Sequence, residues 1–250
     1  MRRAIRLEFR KMRRLRAMPV IGILIVAVAG LSGFSLFSGG TRAILNDPGA
    51  MPWAGLMATY SLMAAMTSPM LAAVLASRQT DIEHSGAGWT LASGAGYSPG
   101  ALCRAKLAAL SIVLVPTLMV QSLLVVGIGV VTGIRLPIEL GAWLGYTALL
   151  FLVDVAFVAL HIWLAAVIEN QLVSVGIGML GAFVGVFSFL TSDVFARATP
   201  WGYYAMVSFV QQRGDRIAYI TPPYAWIVGF LLLVAVAFAA GTSRLDRIER

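Results

Sequence analysis

The polar stretch RQTDIEHSGAGWTLASGAGYSPGALCRAK occupies residues 78–106 and separates two long apolar runs. It contains two acids, two arginines and one of the two lysines of the chain. Because a helix needs about 20 apolar residues to cross a bilayer core of about 30 Å, each flanking run is long enough to cross. The stretch is therefore predicted to be a structured loop that joins two transmembrane helices at one membrane face.

The composition of the whole chain supports a membrane protein. Of its 250 residues, 59 % are hydrophobic and 12 % charged, and the mean hydropathy is +0.85. Because a soluble domain carries about 25 % charged residues, lipid must be the main solvent of this chain. The apolar runs lack the period-two alternation of a membrane barrel. The predicted fold is therefore an all-α integral membrane protein.

Six apolar stretches qualify as spans, and together they form a single transmembrane domain. The spans are predicted at about residues 18–37, 53–76, 107–131, 140–167, 172–190 and 224–240. The single domain divides as follows: spans one and two lie within 18–76, spans three to five within 107–190 and span six within 222–241. The parts outside the spans are an N-terminal amphipathic helix (1–17), a loop between spans two and three (77–106), an extracytoplasmic segment (191–221) and a cytoplasmic tail (242–250).

The basic residues predict the orientation. One side of the six-span arrangement carries fourteen Lys and Arg residues, and the other carries five: Arg42, Arg135, Arg197, Arg213 and Arg216. Because cytoplasmic loops are enriched in Lys and Arg, both termini and the 77–106 loop are predicted to be cytoplasmic, in a multi-pass protein of the cell membrane. The net charge of +8 is explained by this distribution, so nucleic acid is not the expected partner.

The N-terminal sequence MRRAIRLEFRKMRRLR is amphipathic. Ile5, Phe9 and Met12 follow the i, i+4, i+7 spacing of one helix face, and arginines occupy the other faces. This pattern favours a helix that lies on the anionic inner leaflet, although a disordered basic tail would satisfy the same charge rule.

Within the loop, Thr80 and Glu83 have the S/T-x-x-E spacing of a capping box, so a short helix is predicted to begin near Thr80. Trp89 and Leu91 add apolar surface to this polar element. Two interpretations are open: the helix is a docking surface for a soluble partner, or it folds against the cytoplasmic rim of its own chain.

The 191–221 segment contains one tryptophan and three tyrosines, which favour the membrane interface. Either one or two short helices or a plain loop with interfacial anchors would satisfy this composition.

Asp154, near the middle of span four, is the main candidate for chemistry within the membrane. A carboxylate at that depth is costly and is by default a functional hypothesis. His161 lies two turns further along the same face, and Met63 and Met66 add adaptable apolar surface to a candidate substrate path. The alternatives are an acid satisfied by hydroxyl or backbone groups, and methionines that only pack.

The sequence lacks several other kinds of site. No P-loop is present, because neither lysine stands in a G-x-x-x-x-G-K-[ST] motif. Two distant histidines and one cysteine predict no metal site, and the lone Cys103 cannot form an intrachain disulfide. Catalysis by the chain itself is not expected.

The order of these parts resembles the type-2 ABC exporter permeases. The resemblance lies in the basic amphipathic helix, the six spans with both ends inside, and the loop residues Glu83, Trp89, Gly96-Tyr97-Ser98-Pro99 and Arg104-Ala105-Lys106. Pro99 departs from the family, which often has a basic residue there. Within that family, the chain most resembles the short permeases linked to peptide-antibiotic immunity and drug export.

The resemblance implies a permease subunit that moves an apolar or amphipathic substrate outward. Its partners would be two copies of a separate ATPase, which would hold ATP and Mg, and a second permease that is identical or a sister chain. The 77–106 loop would carry a coupling helix, with ATPase contacts at Asp81, Glu83, Trp89, Leu91, Arg104 and Lys106, and the connecting helix would contribute Ile5, Phe9 and Met12. The alternative is an ion-coupled carrier that uses Asp154.

Overall fold

The computed structural model describes residues 2–15, 17–37, 45–214 and 216–248. Arg16, Arg42 and Arg250, three of the basic residues on which the predicted orientation depends, lie outside these ranges. The described α-helices are α1 (Arg2–Arg14), α2 (Ala17–Gly33), α3 (Pro52–Ser85), α4 (Gly88–Gly94), α5 (Pro99–Thr132), α6 (Leu140–Val167), α7 (Gln171–Phe187), α8 (Asp193–Ala198), α9 (Tyr203–Met206) and α10 (Tyr224–Ile248). Three short 3-10 helices (Phe34–Phe37, Pro48–Ala50 and Pro200–Gly202) and two strands, β1 (Val210–Arg213) and β2 (Arg216–Tyr219), complete the described elements.

The prediction of a helical membrane protein is confirmed. Within the described ranges, five segments are long and apolar enough to cross a membrane: Ala17–Phe37, Pro48–Ser85, Pro99–Thr132, Leu140–Val167 and Tyr224–Arg247. The predicted fifth span, 172–190, corresponds to α7, which is apolar but has only 17 residues. At 1.5 Å per residue α7 is about 26 Å long, slightly less than the bilayer core, so the six-span count depends on this helix.

The prediction that a helix begins near Thr80 is wrong. Helix α3 continues without interruption from Pro52 to Ser85, and the Thr80 hydroxyl donates a hydrogen bond to the carbonyl of Ala76 one turn earlier. The short helix of the loop is α4, which begins eight residues later, after Ala87 in a left-handed conformation. A Thr-x-x-Glu pattern occurs inside helices as well as at their starts, and here the hydroxyl bonds within the helix.

Local capping explains the ends of the long helices. Helix α5 starts at Ser98, whose hydroxyl accepts a hydrogen bond from the amide of Ala101, followed by Pro99 in the first turn. It ends at Gly133, whose φ of 104° is a conformation that glycine adopts without strain. Helix α7 starts at Asn170, whose side chain accepts from the amide of Leu172.

Helix α3 is the centre of the bundle, and its most extensive contact is with α7. The two helices approach closely because α7 places glycines against α3. A Cβ atom added at Gly178 would lie 2.5 Å from the Cβ of Ala73 and 2.9 Å from the carbonyl oxygen of Pro69. Small residues allow this close packing in membrane helices, where hydrophobic burial does not drive association.

The two ends of the bundle differ. The α1 end carries α1, α4 and the last turns of α10; Lys106 of α5 contacts α1, and Asp246 of α10 contacts α5. The hairpin end carries β1 and β2, which pair antiparallel with Val210 opposite Tyr219. The 191–221 segment therefore contains two short α-helices, a 3-10 helix and also a hairpin, and the hairpin was not predicted from the sequence.

Candidate functional site

A cluster of charged side chains lies buried at the α1 end, between α1, α3 and α5. The Lys106 ammonium lies 2.9 Å from Glu8 Oε2 and 2.7 Å from Glu83 Oε1, and it donates to the backbone carbonyl of Gln79 at 2.9 Å. The Lys11 ammonium lies 2.8 Å from Glu8 Oε1 and 2.5 Å from Glu83 Oε1. The Gln79 amide donates to Glu8 Oε2 at 2.8 Å. We refer to Glu8, Lys11, Gln79, Glu83 and Lys106 as the charged cluster.

The charged cluster is balanced and almost closed to solvent. Lys106 is 0 % exposed and Glu8 is 1 % exposed, and only Lys11 reaches the surface. Burial alone would lower the pKa of Lys11, but its hydrogen bonds and attraction to Glu8 and Glu83 outweigh burial and raise that pKa. Because a raised lysine pKa keeps the ammonium charged below it, this contribution to stability is present at neutral pH and is lost only as the pH rises through the folded-state pKa.

This arrangement fastens the N-terminal helix to two long helices. Glu8 belongs to α1, Glu83 to α3 and Lys106 to α5, so each ion pair of Lys106 joins different helices. A buried lysine with two carboxylates and a carbonyl has its donors satisfied, which is the condition under which a buried charge is tolerated. Movement of α1 must therefore move α3 and α5 with it, or break the cluster.

Glu83 and Lys106 were predicted to contact an ATPase. The structure places both inside the charged cluster, where a partner cannot reach them. Gly88 packs directly against Glu83, because a Cβ atom at Gly88 would collide with the Glu83 side chain and backbone.

Trp89 holds α4 against the rim of the bundle. Its indole nitrogen donates to His84 Nδ1 at 3.4 Å, and the two rings meet edge to face at 5.7 Å. His84 Nε2 lies 2.8 Å from the carbonyl of Ala165 near the end of α6, so it donates this bond and leaves Nδ1 as the acceptor. On the other side of α4, Leu91 is 70 % exposed. Helix α4 is thus folded onto its own chain and still presents apolar surface outward.

Arg104 and Asp246 connect α5 with the last turns of α10. The guanidinium lies 3.2 Å from Asp246 Oδ2 and donates to the hydroxyl of Thr242 at 3.2 Å. Asp246 Oδ1 accepts the amide of Gly100 at 2.8 Å. Arg104 remains partly exposed, as does Asp81 on α3.

Helix α1 buries one face on the bundle. Met12 is buried and Ile5 and Phe9 are partly buried, as their spacing predicts, together with Ala4 and Glu8. Six exposed arginines cover the rest of the helix: Arg2, Arg3, Arg6, Arg10, Arg13 and Arg14. The apolar stripe therefore packs on protein, and the arginines face outward.

Asp154 is buried in the bundle and bonded to two hydroxyl groups. Tyr204 donates to Oδ1 at 2.8 Å, and Ser68 donates to Oδ2 at 3.3 Å. The carboxylate thus joins α6 to α3 and to the short helix α9 at the hairpin end. These two hydrogen bonds agree with the alternative in which hydroxyl groups stabilise the buried carboxylate and no substrate is involved.

The other candidates of the substrate path do not converge with Asp154. The His161 ring is buried, and its Nδ1 lies 3.0 Å from the Ser174 hydroxyl of α7. Met63 and Met66 are half-buried on α3. Among the described residues, no group of three potential metal ligands comes together.

Sequence reasoning missed Glu8 and Gln79 as members of the charged cluster. Glu8 is the single acid in the first 17 residues, and it lies four residues from both Ala4 and Met12. An acid on the apolar face of a basic helix is a signal for a buried partner, because an isolated carboxylate there would be costly. The identity of that partner depends on the fold, since Lys106 is 98 positions away.

The comparisons with known proteins agree with this architecture. A family profile described as ABC-2 family transporter protein matches residues 4–185, from the first turn of α1 almost to the end of α7. Neither the curated proteins nor the solved structures gave a significant match. Because the family profile covers well over half of the chain, and because a membrane-crossing helical bundle follows α1, the chain belongs to the ABC-2 family of transporter membrane proteins.

Proposed function

We propose that this chain is the permease subunit of an ATP-driven exporter that is energised by separate ATPase chains. In this proposal two permeases, identical or sister chains, act with two ATPases that hold ATP and Mg. They move an apolar or amphipathic substrate, such as a drug, a peptide antibiotic or a lipid-like molecule, outward. Family membership supports a transport subunit, and the absence of a P-loop from the chain supports a separate motor.

The charged cluster is the observation that carries the coupling part of the proposal. It binds α1, α3 and α5 to one another directly beneath α4. Trp89 of α4 bonds to His84 of α3, and Asp246 at the end of α10 bonds to Gly100 at the start of α5. A force applied to α4 by a partner would therefore reach three long helices together. Closure of the ATPase dimer on ATP supplies such a force in this mechanism.

The residues that contact the ATPase are proposed from exposure. Leu91 is the main apolar contact, and Asp81, Trp89 and Arg104, which are partly exposed at the same end of the bundle, are further contacts. Glu83 and Lys106 do not contact the ATPase in this proposal; their ion pairs hold α1, α3 and α5 together behind the contact surface. The exposed arginines of α1 can bind anionic headgroups or acidic groups of the partner.

The orientation follows the positive-inside rule. The α1 end carries most of the basic residues, so it is proposed to be cytoplasmic, with both termini on that side of the cell membrane. In this arrangement α7 is the fifth of six spans.

Replacing Leu91 with glutamate is expected to reduce recovery of the ATPase about tenfold without changing the thermal midpoint of the permease. The reason is that a charge in the centre of an apolar contact must be desolvated without a partner. The measurement is the amount of ATPase that copurifies with the tagged permease in mild detergent.

Leu190→Glu is the matched control for this substitution. Leu190 is 78 % exposed, similar to Leu91, but follows α7 at the hairpin end. Equal ATPase recovery from the wild type and from Leu91→Glu would remove Leu91 from the contact surface.

A further inference from the structure

A groove of about 560 Å³ lies between α6 and α10. Its walls include Phe157 and Trp163 of α6 and Phe230 and Phe238 of α10, and Arg197 and Pro200 lie at the hairpin end. The volume falls within the range of about 300–1,000 Å³ that is typical of ligand sites. Asp154, His161, Met63 and Met66 are not among its described lining residues, so the groove is separate from the candidate path within the bundle.

The length of the groove corresponds to one leaflet of a bilayer. Along α10 its lining extends from Ala225 to Phe238, thirteen residues on, which is about 20 Å at 1.5 Å per residue. Half of a hydrocarbon core of about 30 Å is about 15 Å. A single hydrocarbon chain lying along α10 would therefore fill the groove from the membrane interface to the bilayer centre.

The hairpin end of the groove carries a positive charge that is weakly compensated. The Arg197 guanidinium lies 5.2 Å from the centre of the Trp226 ring. Its acidic neighbour Asp193 is 3.8 Å away and 75 % exposed, a geometry in which an ion pair contributes little. The Arg197 Nε atom is buried and has no hydrogen-bond acceptor within the described structure.

We propose that this groove binds one acyl chain of an anionic phospholipid, with the headgroup phosphate at Arg197. The apolar wall accounts for the chain, and the guanidinium with its unused Nε–H accounts for the negative headgroup, since Arg binds phosphate oxygens through several N–H donors. A second copy of this chain is a poorer occupant, because an apolar protein face would leave Nε without an acceptor. The inference is independent of the proposed ATPase coupling.

The test is native mass spectrometry of the purified, delipidated protein with added phosphatidylglycerol or phosphatidylcholine of the same acyl chains. We expect one tightly bound phosphatidylglycerol per chain and a preference over phosphatidylcholine of about tenfold. Arg197→Gln should abolish that preference and leave phosphatidylcholine binding unchanged.

Gly229→Leu tests the acyl-chain part of the site. Gly229 lines the groove, and a Cβ atom added there meets no atom within 4 Å, so leucine should fill the groove without disturbing the helices. This variant should lose about tenfold in affinity for either lipid. The matched control is Gly22→Leu, at another membrane-helix position with nothing within 4 Å, which should bind lipid like the wild type.

Three results would overturn the proposal. The wild type could show equal affinity for the two lipids, or Gly229→Leu could bind phosphatidylglycerol as the wild type does. In the third, Gly229→Leu would separate a dimer into single chains with no change in lipid binding, which would assign the groove to a second copy.

Discussion

Replacing Lys106 with methionine is expected to lower the free energy of unfolding by about 4 kcal/mol, because removing one partner of a buried ion pair leaves an uncompensated charge. Glu8 and Glu83 would lose their ion pairs with Lys106, at 2.9 Å and 2.7 Å, and would remain buried with only Lys11 to balance their charges. For a chain of this size such a loss corresponds to a fall of roughly 10 °C in the thermal midpoint. The measurement is thermal unfolding of the purified protein in detergent.

Two further variants separate charge from packing at this site. Arg104→Met removes a cation two residues away whose ion pair with Asp246 is partly exposed, so it should cost no more than about 1 kcal/mol. Adding Glu8→Gln to Lys106→Met restores equal numbers of acids and bases in the charged cluster. If the ion pairs carry the effect, the double variant is more stable than Lys106→Met alone, whereas simple addition of two losses would contradict that account.

Gly178→Leu is expected to disrupt the contact between α3 and α7, with a cost of about 3 kcal/mol from overpacking. The added Cβ atom would lie 2.5 Å from the Cβ of Ala73 and 2.9 Å from the oxygen of Pro69. Backbone of the central helix cannot move as a flexible side chain would, so α7 must be displaced. The thermal midpoint of the purified variant measures this cost.

Gly176→Leu provides the control on the same helix. A Cβ atom at Gly176 meets nothing within 4 Å, and leucine has a higher helix propensity than glycine. This variant should be as stable as the wild type or slightly more stable. Equal losses at Gly176 and Gly178 would show that the effect comes from α7 itself and not from its approach to α3.

The existence of the long helices could be predicted from the sequence because lipid allows few alternatives. Apolar runs of sufficient length must be helical in a bilayer, and the runs that contain Tyr60, Leu118 and Phe157 are helical in the structure. Helix ends were less predictable. Helix α3 continues past its apolar run to Ser85, where α1 and α5 contact Gln79 and Glu83.

The charged cluster could not be predicted because its pairs are formed by the tertiary fold. In the sequence, Glu83 and Lys106 have the character of surface charges, and Lys11 belongs to a basic helix that suits a lipid surface. Each becomes part of a buried network only when α1 packs across α3 and α5.

The hairpin at residues 210–219 was missed for a different reason. Gly214 and Asp215 are residues typical of a hairpin turn. The aromatic residues around them are equally typical of interfacial helices or loops, and the prediction followed the aromatic residues.

The central claim is that a separate ATPase drives this permease, and purification of the native complex tests it most directly. The tagged chain is expressed from its own genomic context, extracted in a detergent that preserves known membrane complexes, and its partners are identified by mass spectrometry. The account predicts a P-loop ATPase in a stoichiometric amount, alone or with a sister permease. If the chain is recovered without an ATPase under these conditions, the coupling account is wrong, and an ion-coupled mechanism through Asp154 becomes the hypothesis to test.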